Sequence, residues 1–578
     1  MSLDLSAEKK EKGLAGRRTT KSSSEKIDDN NRVKYTKEYL ESRKSELQEI
    51  FNAIKADLQE QADYFSPNSV RFIARNVNKP RIRSKKILDS TTLTAVRNFA
   101  AGMMTGATSP TRRWFKTSIF NKDLAQDWEV KDFCAKQAEL TRRILYASNF
   151  YQLLPEVYDQ MAVFLFSALA MESDYDTVVN FKCLPIGSYY YSKDNRGIIN
   201  TFCRRYMESA RNLIKEFGYE NCSDAVQEAS KVRPNEIFEI VHYVEPNFEH
   251  VSGSPFSAQK KFISIYYEAN SNNNNFLRKS GFDRFPYVVF EASCNGEDNY
   301  PSKGLGAYAL PDAKQLMTMV KEYAKAVKKM VSPPYNAPAS LKNKNLSDTP
   351  AYFNELDENG NGLKPVFEVN PRILELKESI NEIRENIKSI FYNDLFAMIL
   401  NTAERGRTAT EVNELKEEKM VLLSPLLEQI HIALRQILDW LFYEELDKGI
   451  LPPIPDVLQG QEIETEFVST LAQAMKAQNI ASMERFTTFV ANMGQTIDPV
   501  LLKKINGEQM IDDYADFANI DPSQVTPSKE IAAIRAAMEQ KQQQQEQMQT
   551  LTQGSQLVKN MGGVDAFGGE LMQRLGQG

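Results

Sequence analysis

Pro311-Asp312-Ala313-Lys314-Gln315-Leu316-Met317-Thr318-Met319-Val320-Lys321-Glu322-Tyr323-Ala324-Lys325-Ala326-Val327-Lys328-Lys329-Met330-Val331 is the clearest local pattern in the chain. Its apolar residues recur at helical spacing, not in alternation, so a helix is expected over 311–331. At about 100° per residue, Lys314, Thr318, Lys321, Lys325 and Lys328 fall in a stripe about 80° wide, with Leu316, Val320, Tyr323 and Val327 opposite. The stripe is about 21 Å long at about 1.5 Å per residue. By spacing alone it is either a solvated helix face or a surface able to lie along a phosphate backbone.

Upstream of this helix the pattern is that of strands. Ile237–Val244, Phe262–Glu268 and Tyr287–Phe290 are β-branched or aromatic and are separated by Asn, Ser and Gly, with a loop tip at Asn272–Asn275. Tyr189-Tyr190-Tyr191, a turn at Lys193–Gly197 and Ile198–Phe202 predict a hairpin. Tyr206–Phe217 predicts a short helix stopped by Gly218. Further toward the N-terminus, helices are expected over Tyr35–Ala62, from Asp89 or Ser90 onward, over Leu124–Ser148 and over Leu153–Met171. The last includes the longest apolar run, Met161–Met171, which is too short to span a bilayer and reads as a buried helix. Residues 1–31 are polar and expected to be disordered. Arg71, Arg75, Lys79, Arg81, Arg83, Lys85 and Lys86 form a basic stretch without regular spacing, open to a nucleic acid, an acidic neighbouring subunit or solvent.

Downstream, helices are expected over 371–400, 408–446, 470–493 and 528–540, ahead of a Gly- and Gln-rich mobile tail. Asn370-Pro371 opens the first, and Thr408-x-x-Glu411 is a capping box for the second. Asn401–Thr408 therefore reads as a tight tip between two long helices, with Arg405, Gly406 and Arg407 in it and Pro425 placed to kink the second helix. Such an arm can move a charged tip, although an ordinary exposed turn has the same signature.

Composition sets the outer limits. The 578 residues, 42% apolar and 26% charged, suit a large soluble protein of several domains. Lys plus Arg total 71 and Asp plus Glu 77, a net charge of −6, which excludes a wrapper that holds DNA by bulk positive charge. The five Cys are scattered, form no C-x-x-C and fit free thiols of a reducing compartment. The N-terminal MSLDLSAEKK has no apolar core of a secretory signal.

Enzymatic signals are weak. His242, His250 and His431 have no paired-ligand spacing. Gly304-Leu305-Gly306-Ala307-Tyr308-Ala309 matches G-x-G-x-x-A in letters, but it follows Pro301-Ser302-Lys303 instead of an apolar strand and reads as a turn into the next helix. Asp512, Asp513 and Asp516 could hold a metal; on a helix, however, Asp513 is displaced from the other two, as on an ordinary charged surface.

Four blocks in order carry a resemblance. The first is Asp89-Ser90-Thr91 through Ala100-Ala101-Gly102-Met103-Met104-Thr105-Gly106-Ala107-Thr108-Ser109-Pro110, with Trp114-Phe115. The second is Arg284-Phe285-Pro286-Tyr287, Gly296-Glu297-Asp298, Tyr300, Gly304, Gly306 and Ala309-Leu310-Pro311-Asp312, closed by Val331-Ser332-Pro333-Pro334. The third is Ala403-Glu404-Arg405 with Thr408-Ala409-Thr410-Glu411-Val412. The fourth is Leu471-Ala472-Gln473-Ala474, Ile511, Tyr514-Ala515 and the Gln-rich end. Together they resemble the portal, or head-to-tail connector, proteins of short-tailed bacteriophages.

The resemblance implies a mostly α protein with a β-rich insertion (α+β), forming a ring, a dodecamer, at one capsid vertex of the virion. It is made in the host bacterial cytoplasm. Double-stranded DNA passes through the ring in packaging and ejection, and the partners are terminase, major capsid protein, scaffolding protein and a tail adaptor, with no membrane, cofactor or catalytic residue. The implied parts are an arm (1–31), wing (32–205), first stem helix (206–218), strand-rich clip (219–305), second stem helix (306–331), wing with a channel loop near 401–408 (332–500), crown (501–545) and tail (546–578). Arg405, Arg407, Lys314, Lys321, Lys325 and Lys328 would then face the DNA channel. The rival readings are a metal-dependent packaging nuclease using Asp512, Asp513 and Asp516, and a structural adaptor or scaffold without DNA contact.

Overall fold

The computed structural model describes residues 35–72, 86–121, 127–253, 255–271, 275–292, 299–301, 304–331, 335–336, 364–365, 373–400, 409–458, 463–468, 483–492, 533–545 and a few isolated positions. The arm 1–31, most of the basic stretch, most of the Asn272–Asn275 tip, Cys294, Arg405 and Arg407, most of 470–493, Asp512, Asp513 and Asp516, and the tail 546–578 lie outside the described residues.

In chain order the chain forms α1 (Lys37–Phe65), α2 (Thr91–Ala107), β1 (Phe115–Ile119), α3 (Trp128–Ala147), α4 (Phe150–Phe164), β2 (Phe166–Asp174) and β3 (Val178–Leu184). Then come β4 (Tyr189–Lys193), β5 (Ile199–Ser209), α5 (Ala210–Phe217), α6 (Asp224–Val232), β6 (Ile237–Pro246), β7 (Phe262–Glu268), β8 (Arg278–Phe282) and β9 (Tyr287–Glu291). After α7 (Leu305–Val331) and the two-residue strands β10 (Tyr335–Asn336) and β11 (Lys364–Pro365) follow α8 (Ile373–Ile390), α9 (Asn393–Leu400), α10 (Ala409–Asp447) and β12 (Ile463–Phe467). The fold is α+β. Two compact units divide it: residues 1–112 with 141–450, and residues 113–140 with 451–578.

In the larger unit, β4-β5-β6-β7-β8 form one antiparallel meander and β3-β2-β9 a second sheet. Rings of Phe51, Phe166, Tyr189, Tyr191 and Tyr300 interlock in its core, with Tyr191 and Tyr300 centroids 4.5 Å apart. The first α5 residue and Leu213 join Val226, Ile240 and Leu277 in a separate apolar cluster. In the smaller unit, β1 pairs antiparallel with β12, Phe115 opposite Phe467, and Ile119 packs with Val130, Phe133, Cys134 and Leu458.

Several expectations hold: the Tyr189 hairpin, the strands at 237–244, 262–268 and 287–290, the stop at Gly218 (φ 88°) and the long helices from 37 and 409. Others are corrected. The apolar run Met161–Met171 is not one buried helix: α4 ends at Phe164, Leu165 turns left-handed at φ 67°, and the run continues as β2, the middle strand of its sheet. A continuous apolar run satisfies a two-sided buried strand as well as a buried helix. The helix expected over Tyr206–Phe217 is only Ala210–Phe217, because 206–209 extend β5 alongside β6. Residues 371–400 are two helices, broken where Tyr392 takes φ 55°. Phe391 lies against Phe65, and Phe396 against Phe99. These aromatic anchors on both sides of the break hold the turn in place. β9 does not continue the meander but pairs with β2 in the second sheet.

The helix after the meander begins at Leu305, with Pro311 in its second turn, so Gly304 and Gly306 are helix-start residues and not a turn before it. Their smallness is required by packing: a Cβ at Gly306 would stand 2.3 Å from the Val163 carbonyl oxygen, and one at Gly304 would stand 2.6 Å from Leu165 Cγ. Gly306→Ala should therefore lower stability by about 1–3 kcal/mol through backbone displacement, and Gly304→Ala by less, since it meets only a side chain. Thermal melting of the two variants checks both the loss and its order.

Candidate nucleic-acid interface

α7 is gripped over its first half and open over its second. Gly306, Ala309, Ala313, Leu316 and Met317 are buried, and no later residue of the helix is. α1, α4 and α8 all contact α7. Val320, Tyr323 and Val327 stay half-buried, while Lys321, Lys325 and Lys328 stand exposed roughly opposite them. The predicted amphipathic split is thus present, with its apolar side used for packing.

The lysines differ in circumstance. Lys314 Nζ lies 2.6 Å from Glu60 Oε1 on α1, so it is engaged within the chain. Lys325 Nζ lies 2.7 Å from Glu322 Oε1. Its hydrogen bond holds the Glu322 carboxyl below its usual pKa. Lys321 and Lys328 make no ion pair or hydrogen bond among the described residues. Thr318 turns its hydroxyl back to the Lys314 carbonyl at 2.9 Å.

A node that sequence spacing did not reveal holds α7 in place. The backbone N–H groups of Leu88 and Asp89 donate to Met317 Sδ at 3.1 and 3.4 Å. Asp89 caps α2 by accepting from Thr91 N at 2.8 Å, and its other oxygen accepts from Arg384 Nη2 of α8 at 2.6 Å. Burial pushes the Asp89 carboxyl up, but the hydrogen bonds from Thr91 and Arg384 together outweigh it and leave the pKa lowered. Asp89 was legible only as a cap; its tie to a residue 295 positions away carried no local signal.

α10 is anchored toward its C-terminal end. Along α10, Leu423, Leu427, Ile430, Leu434, Ile437 and Leu441 are buried. Glu445, fully buried, accepts from Thr141 Oγ1 at 2.6 Å, and Lys448 Nζ donates to the carbonyls of Asp174 and Val178. α10 runs unbroken past Pro425. Its 39 residues place the start of the helix about 58 Å from its end at about 1.5 Å per residue. Arg405 and Arg407 themselves lie outside the described residues, so they and the α7 lysines are not brought together here.

Chemistry elsewhere is structural. His242 is buried, stacked on Tyr266 at 3.8 Å, and hydrogen-bonded to Tyr287 Oη at 2.5 Å and Ser264 Oγ at 2.9 Å. Burial, then nearby Arg204, Arg278 and Lys182, pushes its pKa well down, so the ring is neutral. Cys134, Cys183, Cys203 and Cys222 are free thiols whose pKa values burial raises, so they are not activated nucleophiles. Among the described residues no group of three or more His, Cys, Asp or Glu could hold a metal ion, and no helix is long and apolar enough to cross a membrane.

The sequence pattern of the family described as bacteriophage head to tail connecting protein matches residues 37–525. The chain belongs to this family. It is 32% identical to the portal protein of Salmonella phage epsilon15 over 522 residues, 90% of this chain and 93% of that one. It is 33% identical to the probable portal protein of Bordetella phage BPP-1 over 514 residues, 88% of this chain and 92% of that one. Among solved structures, a chain from the virion of a native gene transfer agent particle matches at 11% identity and TM-score 0.34, covering 74% of this chain and 94% of that one. A chain from the neck of an empty gene transfer agent particle matches at 12% identity and TM-score 0.36, covering 69% and 86%. TM-scores below 0.5 carry no weight here. As a head-to-tail connecting protein, the chain has the portal role, is a virion component and is of a structural rather than an enzymatic family. The packaging-nuclease reading is not favoured.

Asp89→Ala leaves Arg384 without its partner and the first turn of α2 without its cap, which should cost about 1–3 kcal/mol. A double-mutant cycle with Arg384→Ala, read by thermal melting, should show coupling between the two sites. Because the folded carboxyl is lowered, the stability it contributes is present above the ordinary Asp pKa of about 3.9 and lost as pH falls through the folded value. Asp89→Asn should therefore flatten the acid side of the stability profile below about pH 4 and leave its alkaline side unchanged.

Proposed function

We propose that twelve copies of this connector close into a ring at one capsid vertex and that double-stranded DNA passes through its bore during packaging and ejection. The observation that supports this most directly is the α9–tip–α10 arm: a long helix fixed at its base by buried Leu, Glu445 and Lys448, leading at its far end to Arg405 and Arg407. We assign those two arginines to the narrowest part of the bore.

The electrostatics suit a conduit. Duplex DNA carries one charge per about 1.7 Å, and many strong phosphate contacts would hold it instead of letting it pass. A chain of net charge −6 with a few cations at a tip offers brief, sequence-independent contact. The lysines of α7 add to the bore only if their face points inward.

In the family's terms, α7 is the second stem helix, and α5, about 12 Å long, the first. Residues 219–305, with α6 and β6–β9, are the clip, the helices α8–α10 belong to the second wing segment, and residues 501–545 form the crown. Terminase and a tail adaptor dock on the clip side in turn, while the major capsid protein and scaffolding protein surround the ring during assembly. Synthesis takes place in the host bacterial cytoplasm. No catalytic step is assigned to the chain.

Two experiments test the reading. End-on images of the purified protein, alone or co-expressed with capsid components, should show closed rings with a central hole. Arg405→Ala with Arg407→Ala should leave the rings intact and reduce DNA filling or retention in capsids. Normal filling by that double variant, or a map placing residue 405 on the outer rim, rejects the conduit assignment.

A further inference from the structure

α7 and α8 pack against each other, and each carries a charged face, of opposite sign. On α7, Lys321, Lys325 and Lys328 lie within about 60° and roughly opposite the half-buried Val320, Tyr323 and Val327. On α8, Glu378, Glu382 and Glu385 likewise lie within about 60° and roughly opposite the buried Ile380, Ile383 and Ile387. Since the apolar sides are used for packing, one flank of the pair is basic and the other acidic. Lys388 neutralises part of Glu385 at 2.8 Å, as Glu322 does for Lys325. Lys321, Lys328, Glu378 and Glu382 make no ion pair among the described residues.

We propose that the basic flank of α7 in one copy docks against the acidic flank of α8 in the next copy around the ring. The proposal rests on the ring reading above and supplies its contact. A closed ring of more than two copies needs two different, complementary surfaces on every chain, because each copy meets its neighbours head to tail. The α7–α8 pair has such surfaces, about 10 Å long on the lysine side from Lys321 to Lys328.

Two features favour a protein partner over DNA for the lysines. Leu374, 76% exposed, borders the acidic flank of α8; a protein neighbour can cover it, whereas a phosphate backbone cannot. Lys314, the first lysine of the stripe, is already bound to Glu60. That leaves a cationic patch short enough for a subunit contact and without the full length expected against DNA.

The test uses the full-length chain and two charge-reversed variants, Lys321→Glu with Lys328→Glu, and Glu378→Lys with Glu382→Lys. All four positions are exposed, and circular dichroism with thermal melting should show both variants folded like the wild type. By mass photometry each variant alone should yield at least about tenfold fewer closed rings, a change of about 1.4 kcal/mol or more. An equimolar mixture should recover them, because alternating copies restore opposite charges at every contact. Wild-type ring formation by either variant alone, or failure of the mixture to recover, overturns the proposal while leaving the ring reading standing. Normal rings from the lysine variant with poor DNA filling of capsids also overturn it and assign the lysines to DNA. If the wild-type chain forms no ring under any assembly condition, the ring reading fails and this contact with it.

Discussion

The close approach of Gly306 to the Val163 carbonyl sets the position of α7, and most of what can be said about function follows from that helix. Without a Cβ at residue 306 the first turn of α7 presses onto the end of α4, where Leu165 turns the chain from helix into β2. Met317 then sits under the N–H groups of Leu88 and Asp89, and Asp89 in turn holds Arg384 of α8. One steric allowance and one buried polar node thus hold the first half of α7. Its second half has no buried residue; there Val320, Tyr323 and Val327 stay half-buried and the lysines exposed.

Three buried titratable groups of the sheets, Glu291, Glu245 and His242, are held by partners within the chain. Glu291, between Tyr191 Oη at 2.7 Å and Lys193 Nζ at 2.9 Å, has a carboxyl raised by burial. Glu245 accepts from Tyr243 Oη at 2.8 Å and is raised for the same reason. His242 is neutral between Tyr287 and Ser264. Perturbed groups often mark catalytic sites, but each of these three has a partner and a packed surrounding that explain it. That suits a protein whose work is mechanical and interfacial.

Charge is used sparingly. A net charge of −6 keeps the chain from binding DNA in bulk, so attraction is left to local features such as the arginines expected at the tip of the arm. The same economy gives the α7–α8 pair a sign on each flank. Opposite signs on two faces favour ordered, one-directional neighbours and oppose pairing of like faces.

Much was legible from the chain alone. The Tyr189 hairpin, the strands at 237–244 and 262–268 and the helix around 311–331 all follow from local rules of periodicity and turn chemistry. The ordered blocks from Asp89 to the Gln-rich end were enough to point to the family. Tertiary structure alone decided whether Met161–Met171 was helix or strand, since apolar content does not choose and the neighbours β3 and β9 do. It decided that β9 leaves the meander, that the 371–400 helix breaks at Tyr392 between Phe391 and Phe396, and that Lys314 belongs to Glu60. Each depends on residues far apart in the chain, and spacing along a sequence contains no information about which distant surface will be within 3 Å.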